Sequence, residues 1–304
     1  MGEPNGPAIT VEGLRKTYGD LTAVDGISFE VHEGEFFGIL GPNGAGKTTT
    51  MEMVEGLRKP NEGTIRIFGE SPWPRNIELL KRIGIQLQAS AFFDKLTSME
   101  QLRTFASLYG VGKDKAGEML ELVGMTEKAD TREDKLSGGQ KQRLSIACAL
   151  VHDPDVVFLD EPTSGLDPQA RRNLWDVLES IRERGKTIVY TTHYLEEAEE
   201  LCDRVAIMES GKLLALDTPA NLVEGLEAPT RVLLKQGVIS VALARGITGV
   251  ESAAEENDLL TMTTSTPGPV LAYLSENVSL DTLQVRTTTL EDVFLNLTGR
   301  EYRE

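Results

Sequence analysis

The chain has 304 residues, 40% of them hydrophobic, enough to bury a sizeable core in two domains or in one large domain with an appendage. Its formal charge is −17, from 31 Lys+Arg against 48 Asp+Glu, which leaves no basic face broad enough for a run of phosphates and argues against a nucleic-acid partner. No apolar run approaches the roughly 20 residues of a membrane span, and MGEPNGPAIT lacks the charged and apolar regions of a signal peptide, so the expected compartment is the cytosol.

In chain order, AITVEGL (8–14) reads as a strand, TYGD as a turn and ISFEV (27–31) as a second strand. EFFGIL (35–40) is a third, mostly apolar strand that stops abruptly at GPNGAGKTTT (41–50). From Thr48 the period changes, and MEMVEGLR suits a short helix ending near Gly56 and Pro60. Strand, glycine loop and helix are the setting a phosphate loop requires. The pattern GxxxxGK[ST] is met by Gly41, Gly46, Lys47 and Thr48, with Gly44 inside it. Glycines let backbone N–H groups wrap phosphates, and the helix N-terminus adds its positive dipole end. Lys47 is expected on the β- and γ-phosphates and the Thr48 hydroxyl on Mg²⁺.

TSMEQLRTFASLYG (97–110) has capping-box spacing from Thr97 to Glu100, with Leu102, Phe105, Ala106, Leu108 and Tyr109 at roughly helical intervals. KAGEMLELVGM (115–125) repeats the habit. LSGGQ (136–140) then places two glycines at the mouth of a helix, where each costs on the order of 1 kcal/mol against alanine. DVVFLDEP (155–162) is a buried strand ending in two carboxylates and a proline. Neighbouring strand residues point to opposite sides, so Asp160 is expected at the metal, opposite Thr48, and Glu161 on a water attacking the γ-phosphate. Cys148 and Cys202 have no CxxC or Cys/His spacing and are expected in the core. His32 and His152 read as ordinary surface or turn residues.

After LLALDTPANLVEG (213–225) the character changes. APT (228–230) reads as a linker, followed by strand, helix, strand, helix and strand in RVLLK, VISVALARG, DLLTMTT, GPVLAYLSENV and DTLQVRT. A last amphipathic helix, TTTLEDVFLNLTGRE (287–301), carries a capping box from Thr288 to Glu291.

GPNGAGKTT, LSGGQ, FLDEP, SGLD (164–167) and TTH (191–193), in this order, resemble the nucleotide-binding subunit of ATP-binding cassette transporters over roughly residues 8–225. The resemblance implies an α/β fold: a P-loop NTPase core of the cassette type with an inserted helical subdomain, plus the small C-terminal α+β domain. The expected boundaries are 1–226 for the ATPase domain, with its helical subdomain at about 89–150, and 227–304 for the appendage, a regulatory or dimer-stabilising module. It further implies ATP and Mg²⁺ as ligands, held by the loop residues Gly41, Asn43, Gly44, Gly46, Lys47, Thr48 and Thr49, with Tyr18 stacking on adenine. Gln88 matches the glutamine that joins the Mg²⁺ and water site to the membrane partner, with Gln86 a near neighbour that invites confusion. His193 matches the histidine that contacts the γ-phosphate.

LSGGQ at a helix start makes a second phosphate-binding surface from Ser137, Gly138 and Gly139, with Gln140 following. The resemblance implies that two chains pair head to tail, each signature closing over the other's nucleotide, with Asp167 crossing the seam. The helical stretch at 97–125 docks on a separately encoded permease at the cytoplasmic face of the membrane in this family. The endings TLEDVFLNLTG and HYLEEAE (193–199) resemble ATPase subunits of drug-resistance and antibiotic exporters. An importer subunit and a regulatory, non-transporting ATPase stay open as alternatives, and the cargo is not legible.

Overall fold

β1 (Ile9–Tyr18) and β2 (Leu21–Val31) form one antiparallel hairpin whose last pair, Tyr18 with Leu21, is separated only by Gly19 and Asp20. Both strands therefore run beyond the stretches 8–14 and 27–31, because the pairing extends strand geometry through residues with weak strand signals of their own. The computed structural model describes residues 6–86, 92–226, 229–256, 258–279 and 282–299. The chain divides into two compact units, with the break between Pro219 and Ala220.

In the first unit the chain continues through β3 (Phe36–Leu40), α1 (Lys47–Val54), β4 (Glu62–Ile67), α2 (Ile77–Leu80), β5 (Ile83–Ile85), α3 (Ser98–Leu108), α4 (Asp114–Leu122) and α5 (Gly138–Leu150). It goes on through β6 (Val156–Asp160), α6 (Pro168–Glu183), β7 (Thr187–Thr192), α7 (Leu195–Leu201), β8 (Arg204–Glu209) and β9 (Lys212–Asp217), and α8 (Pro219–Glu224) spans the break. β2, β1 and β4 make an antiparallel sheet, and β5-β6-β7-β3-β8-β9 a larger one, parallel except for β9. All five residues of β3 and all six of β7 are buried, as a doubly covered parallel strand requires; β3 is a continuous apolar run, while β7 carries three threonines. One core, including Ile9, Phe37, Met51, Phe158 and Val189, joins the two sheets through α1. β3 lies beside β7, which lies beside β6, so the carboxyl ends of these three strands open onto one another, where parallel α/β sheets bind ligands.

α3 starts at the expected capping box: Thr97 Oγ1 accepts from Glu100 N at 3.3 Å, and Glu100 Oε2 accepts from Thr97 N at 2.8 Å. Leu102 and Ala106 of the stripe are fully buried, but Leu108 and Tyr109 are 70% and 41% exposed, so its last turn is not core. α5 is partly exposed over its first turn and buried from Leu144 to Leu150.

The second unit comprises β10 (Thr230–Lys235), α9 (Val241–Arg245), β11 (Ser252–Glu256), β12 (Leu259–Thr264), α10 (Pro267–Asn277), β13 (Gln284–Arg286) and α11 (Leu290–Thr298). Its antiparallel sheet runs β11-β12-β10-β13 around Val232, Leu234, Leu260, Met262, Val270 and Leu274. Two details differ from the sequence reading. β11, written SAAEE, has almost no strand propensity; it is an edge strand shaped by pairing to β12. The capping box of α11 is Thr289 with Asp292 rather than Thr288 with Glu291: both pairs have the spacing, and the helix begins at Leu290, which makes Thr289 the cap.

Candidate nucleotide site

The loop after β3 turns into α1 at Gly46, whose φ of 101° is left-handed and where a Cβ would stand 2.4 Å from the Ala23 carbonyl oxygen. No side chain caps α1, so the N–H groups of its first turn have no side-chain acceptor and suit an anion. Lys47, 4% exposed, has its Nζ 2.7 Å from Gly41 O, 3.2 Å from Pro42 O and 3.0 Å from Glu161 Oε1. Asn43, Gly44, Gly46, Lys47, Thr48 and Thr49 line a cavity of about 490 Å³, together with Tyr18 and Glu161. Gly41 is not in that lining; it packs the loop, since a Cβ there would meet Met208 O at 2.2 Å. Tyr18 is 41% exposed, with the Lys16 ammonium and Arg58 guanidinium each 5.4 Å from its ring centroid.

Asp160 closes β6 and its Oδ1 accepts from Thr48 Oγ1 at 3.3 Å and from Thr191 Oγ1 at 2.5 Å. Glu161 diverges from it by a different device than strand pleating. The strand has already ended, and Glu161 takes a left-handed φ of 43°, uncommon for a residue with a side chain. Its N–H donates to Thr191 Oγ1 at 3.0 Å, which holds the turn. The carboxylate is divided between two bases: Oε1 faces Lys47, and Oε2 lies 2.9 Å from Nδ1 of His193, itself 8% exposed just beyond β7. The ends of β3, β6 and β7 thus bring Lys47, Thr48, Asp160, Glu161 and His193 together. Behind them Glu55, the C-cap of α1, is pushed up to about 8, by burial first and then by the charges of Asp160 and Glu52.

Gln88 lies outside the described residues. Gln86 donates its backbone N–H to Phe158 O at 3.0 Å. Thr48 and Asp160 offer one hydroxyl and one carboxylate, and no group of three or more His, Cys, Asp or Glu among the described residues is arranged for a metal. Such a donor set fits Mg²⁺, which takes one or two protein oxygens beside phosphate oxygens and water.

The signature residues form a second place. Ser137 caps α5 in a box with Gln140: its Oγ accepts from Gln140 N at 3.3 Å, and Gln140 Oε1 accepts from Ser137 N at 3.0 Å. A Cβ on Gly138 would meet nothing within 4 Å, whereas one on Gly139 would lie 3.2 Å from Ala170 Cβ, so packing within the chain already accounts for Gly139. Asp167 caps α6, accepting from Ala170 N at 2.8 Å, and shares with Ser137, Gly139 and Gln140 a cavity of about 210 Å³. That cavity and the one around Lys47 have no lining residue in common.

Sequence reasoning missed the role of Thr191, which ties Asp160 to the backbone of Glu161; its signal was two adjacent threonines closing the buried strand IVYTT. It also missed the partners of His152. His152 does sit in a turn, half-buried, but it stacks on Tyr109 at 3.8 Å, lies 3.0 Å from Ile83 O through Nε2, and titrates below its usual range, chiefly through burial. Cys148 and Cys202 are buried as expected, and burial pushes both thiols far up.

Fold and site together define a P-loop nucleotide-binding protein. The profile described as "ABC transporter" matches residues 24–164. The chain is 43% identical over 303 residues to "Nod factor export ATP-binding protein I" of Paraburkholderia xenovorans, covering 98% of this chain and 99% of that protein. It is 36% identical over 313 residues to "Linearmycin resistance ATP-binding protein LnrL" of Bacillus subtilis, covering 97% of this chain and 100% of that one. Among solved structures, cbiO1 from Clostridium perfringens, described as part of the ABC transporter complex cbiONQ, matches with a TM-score of 0.66 and 30% identity, covering 72% of this chain and 91% of that one. The chain belongs to the ABC transporter family as an ATP-binding, ATP-hydrolysing subunit.

Proposed function

We propose that this ATPase subunit pairs head to tail with a second copy of itself and drives a separately encoded permease in export. The observation that carries the catalytic part is the division of the Glu161 carboxylate between Lys47 and His193. When phosphates enter the loop, Lys47 turns to them and releases Oε1, while His193 keeps Oε2 in place. The freed oxygen is then the base for an attacking water. Bound Mg²⁺ would neutralise charge on the β- and γ-phosphate oxygens. Thr48 and Asp160 would hold it, with Asp160 oriented by Thr191, and Tyr18 would take the adenine face. Gln88 is proposed on the basis of the motif alone.

Pairing is supported by the separation of the two cavities: Ser137, Gly138, Gly139, Gln140 and Asp167 belong to a surface apart from the chain's own Lys47 loop. The permease has a seat in an apolar groove of about 830 Å³ that includes Leu57, Ile77 and Leu108, which are 64%, 66% and 70% exposed. No helix among the described residues is long and apolar enough to cross a membrane, so in this reading membrane contact runs through that groove. Export follows the Nod factor and linearmycin relatives, matched over nearly their whole length. Residues 227–304 are read as a regulatory or dimer-stabilising module.

The test is a dilution series. Phosphate release per chain from Mg·ATP is expected to fall towards zero where sizing shows monomer, and mixing Lys47→Ala with Ser137→Arg chains is expected to restore turnover. A constant rate in verified monomer overturns the pairing. Direction is read in cells carrying the permease: a compound retained with Lys47→Ala and lost with the unaltered chain is exported, and the reverse is import.

A further inference from the structure

Glu197, in the first turn of α7, is fully buried, and a carboxylate there must be compensated. Two hydroxyls from β7 donate to the same oxygen: Tyr190 OH lies 2.7 Å and Thr192 Oγ1 2.5 Å from Glu197 Oε2. Thr192 Oγ1 in turn accepts from the backbone N–H of Tyr194 at 2.9 Å. This hydroxyl therefore bridges the residues on either side of His193, and the carboxylate sets where the bridge stands.

The other oxygen faces α6. Glu197 Oε1 is 3.7 Å from Arg171 Nε, and among the described residues both atoms are buried without a hydrogen-bond partner. The Arg171 guanidinium lies 3.8 Å from the ring centroid of Tyr194, and that ring is tilted against the His193 imidazole at 4.2 Å. His193 is thus set through its backbone by Glu197 and Thr192, through its ring face by Tyr194, and through Nδ1 by Glu161. The slack contact with Arg171 lies one turn from Asp167, the cap of α6, whose place is at the second cavity.

We propose that Glu197 is a positioning residue for His193, acting through Thr192 and Tyr194, with Arg171 tying that position to the start of α6. Glu197 touches no reacting atom. Its effect on turnover rests on the reading of His193 given above; its effect on the position of the ring does not.

Glu197→Gln keeps an oxygen for the two hydroxyls and removes the charge towards Arg171. The chain has three histidines, so the imidazole NMR signals of the nucleotide-free protein resolve the question directly. The expected result is a displaced His193 signal, with those of His32 and His152 unmoved. Turnover is expected to fall by about ten- to a hundredfold, the scale set by misplacing a group at the reaction centre, with the KM for ATP within about twofold. In a His193→Ala background the same substitution is expected to add no further loss.

His193 signals identical to those of the unaltered chain, or a loss that persists in the His193→Ala background, overturn the proposal. Unimpaired turnover by His193→Ala overturns instead the catalytic reading of His193, while the NMR displacement still decides the positioning. If Glu197→Gln fails to fold, Thr192→Val removes the same bridge and Thr192→Ser restores it. The ring signal is then expected to move in the first and return in the second; movement in both, or in neither, rejects the bridge.

Discussion

Lys47 Nζ lies 3.0 Å from Glu161 Oε1, so the base of the phosphate loop and the carboxylate at the end of β6 neutralise each other. Phosphates compete with Glu161 for Lys47. Removing the charge of Glu161 therefore leaves the lysine more available to a nucleotide. Glu161→Gln is expected to bind ATP at least as tightly as the unaltered chain while losing turnover by about 10²- to 10⁴-fold, the range for a general base. Lys47→Ala is expected to fail at binding. Fluorescent-nucleotide titration beside phosphate release separates the two, and near-normal hydrolysis by Glu161→Gln removes it from the mechanism.

Thr191 is fully buried and serves two residues at the end of β6, donating to the Asp160 carboxylate and accepting from the backbone N–H of Glu161. Thr191→Val keeps the shape and leaves those groups short of a partner. A loss of about 1–3 kcal/mol is expected in urea denaturation, together with weaker Mg²⁺ dependence of turnover. A midpoint within error of the unaltered protein contradicts this.

Glu55 gives a pH signature whose sign is fixed by the direction of its shift. Its folded value is raised from 4.5 to about 8, so between these values the folded chain holds a proton that the unfolded chain has released. Stability from this group is complete below about pH 4.5 and is lost as pH rises through about 8, with a slope of up to about 1.4 kcal/mol per pH unit. Glu55→Gln is expected to flatten that slope in denaturation midpoints from pH 5 to 8, and an unchanged slope counts against the burial argument.

Gly138 opens α5 with empty space where a Cβ would stand. Gly138→Ala is expected to raise stability by about 0.5 kcal/mol through helix propensity, and to lower turnover because the space is kept for a nucleotide on a second chain. Thermal midpoint and phosphate release are measured on the same preparation. Unimpaired turnover would mean that nothing approaches that backbone.

Local features were readable from the sequence by itself. The change of period at Thr48, the glycine spacing before Lys47, the Thr97 capping box and the buried run ending at Asp160 depend on neighbours within a few residues, and the structure has each of them. Only the tertiary structure decided what depends on bringing strand ends together. The left-handed turn at Glu161 needs the Thr191 hydroxyl from the adjacent strand, and Glu197 finds Arg171 only because the fold brings the first turn of α7 to the first turn of α6. In the second unit, β11 is a strand because β12 pairs with it, and α11 starts one residue later than its spacing suggested. A backbone period is set by adjacent residues, whereas the partner of a buried polar group or of a strand edge is set by topology, which spacing along the chain does not encode; at α11 two pairs share one local spacing, and spacing does not choose between them.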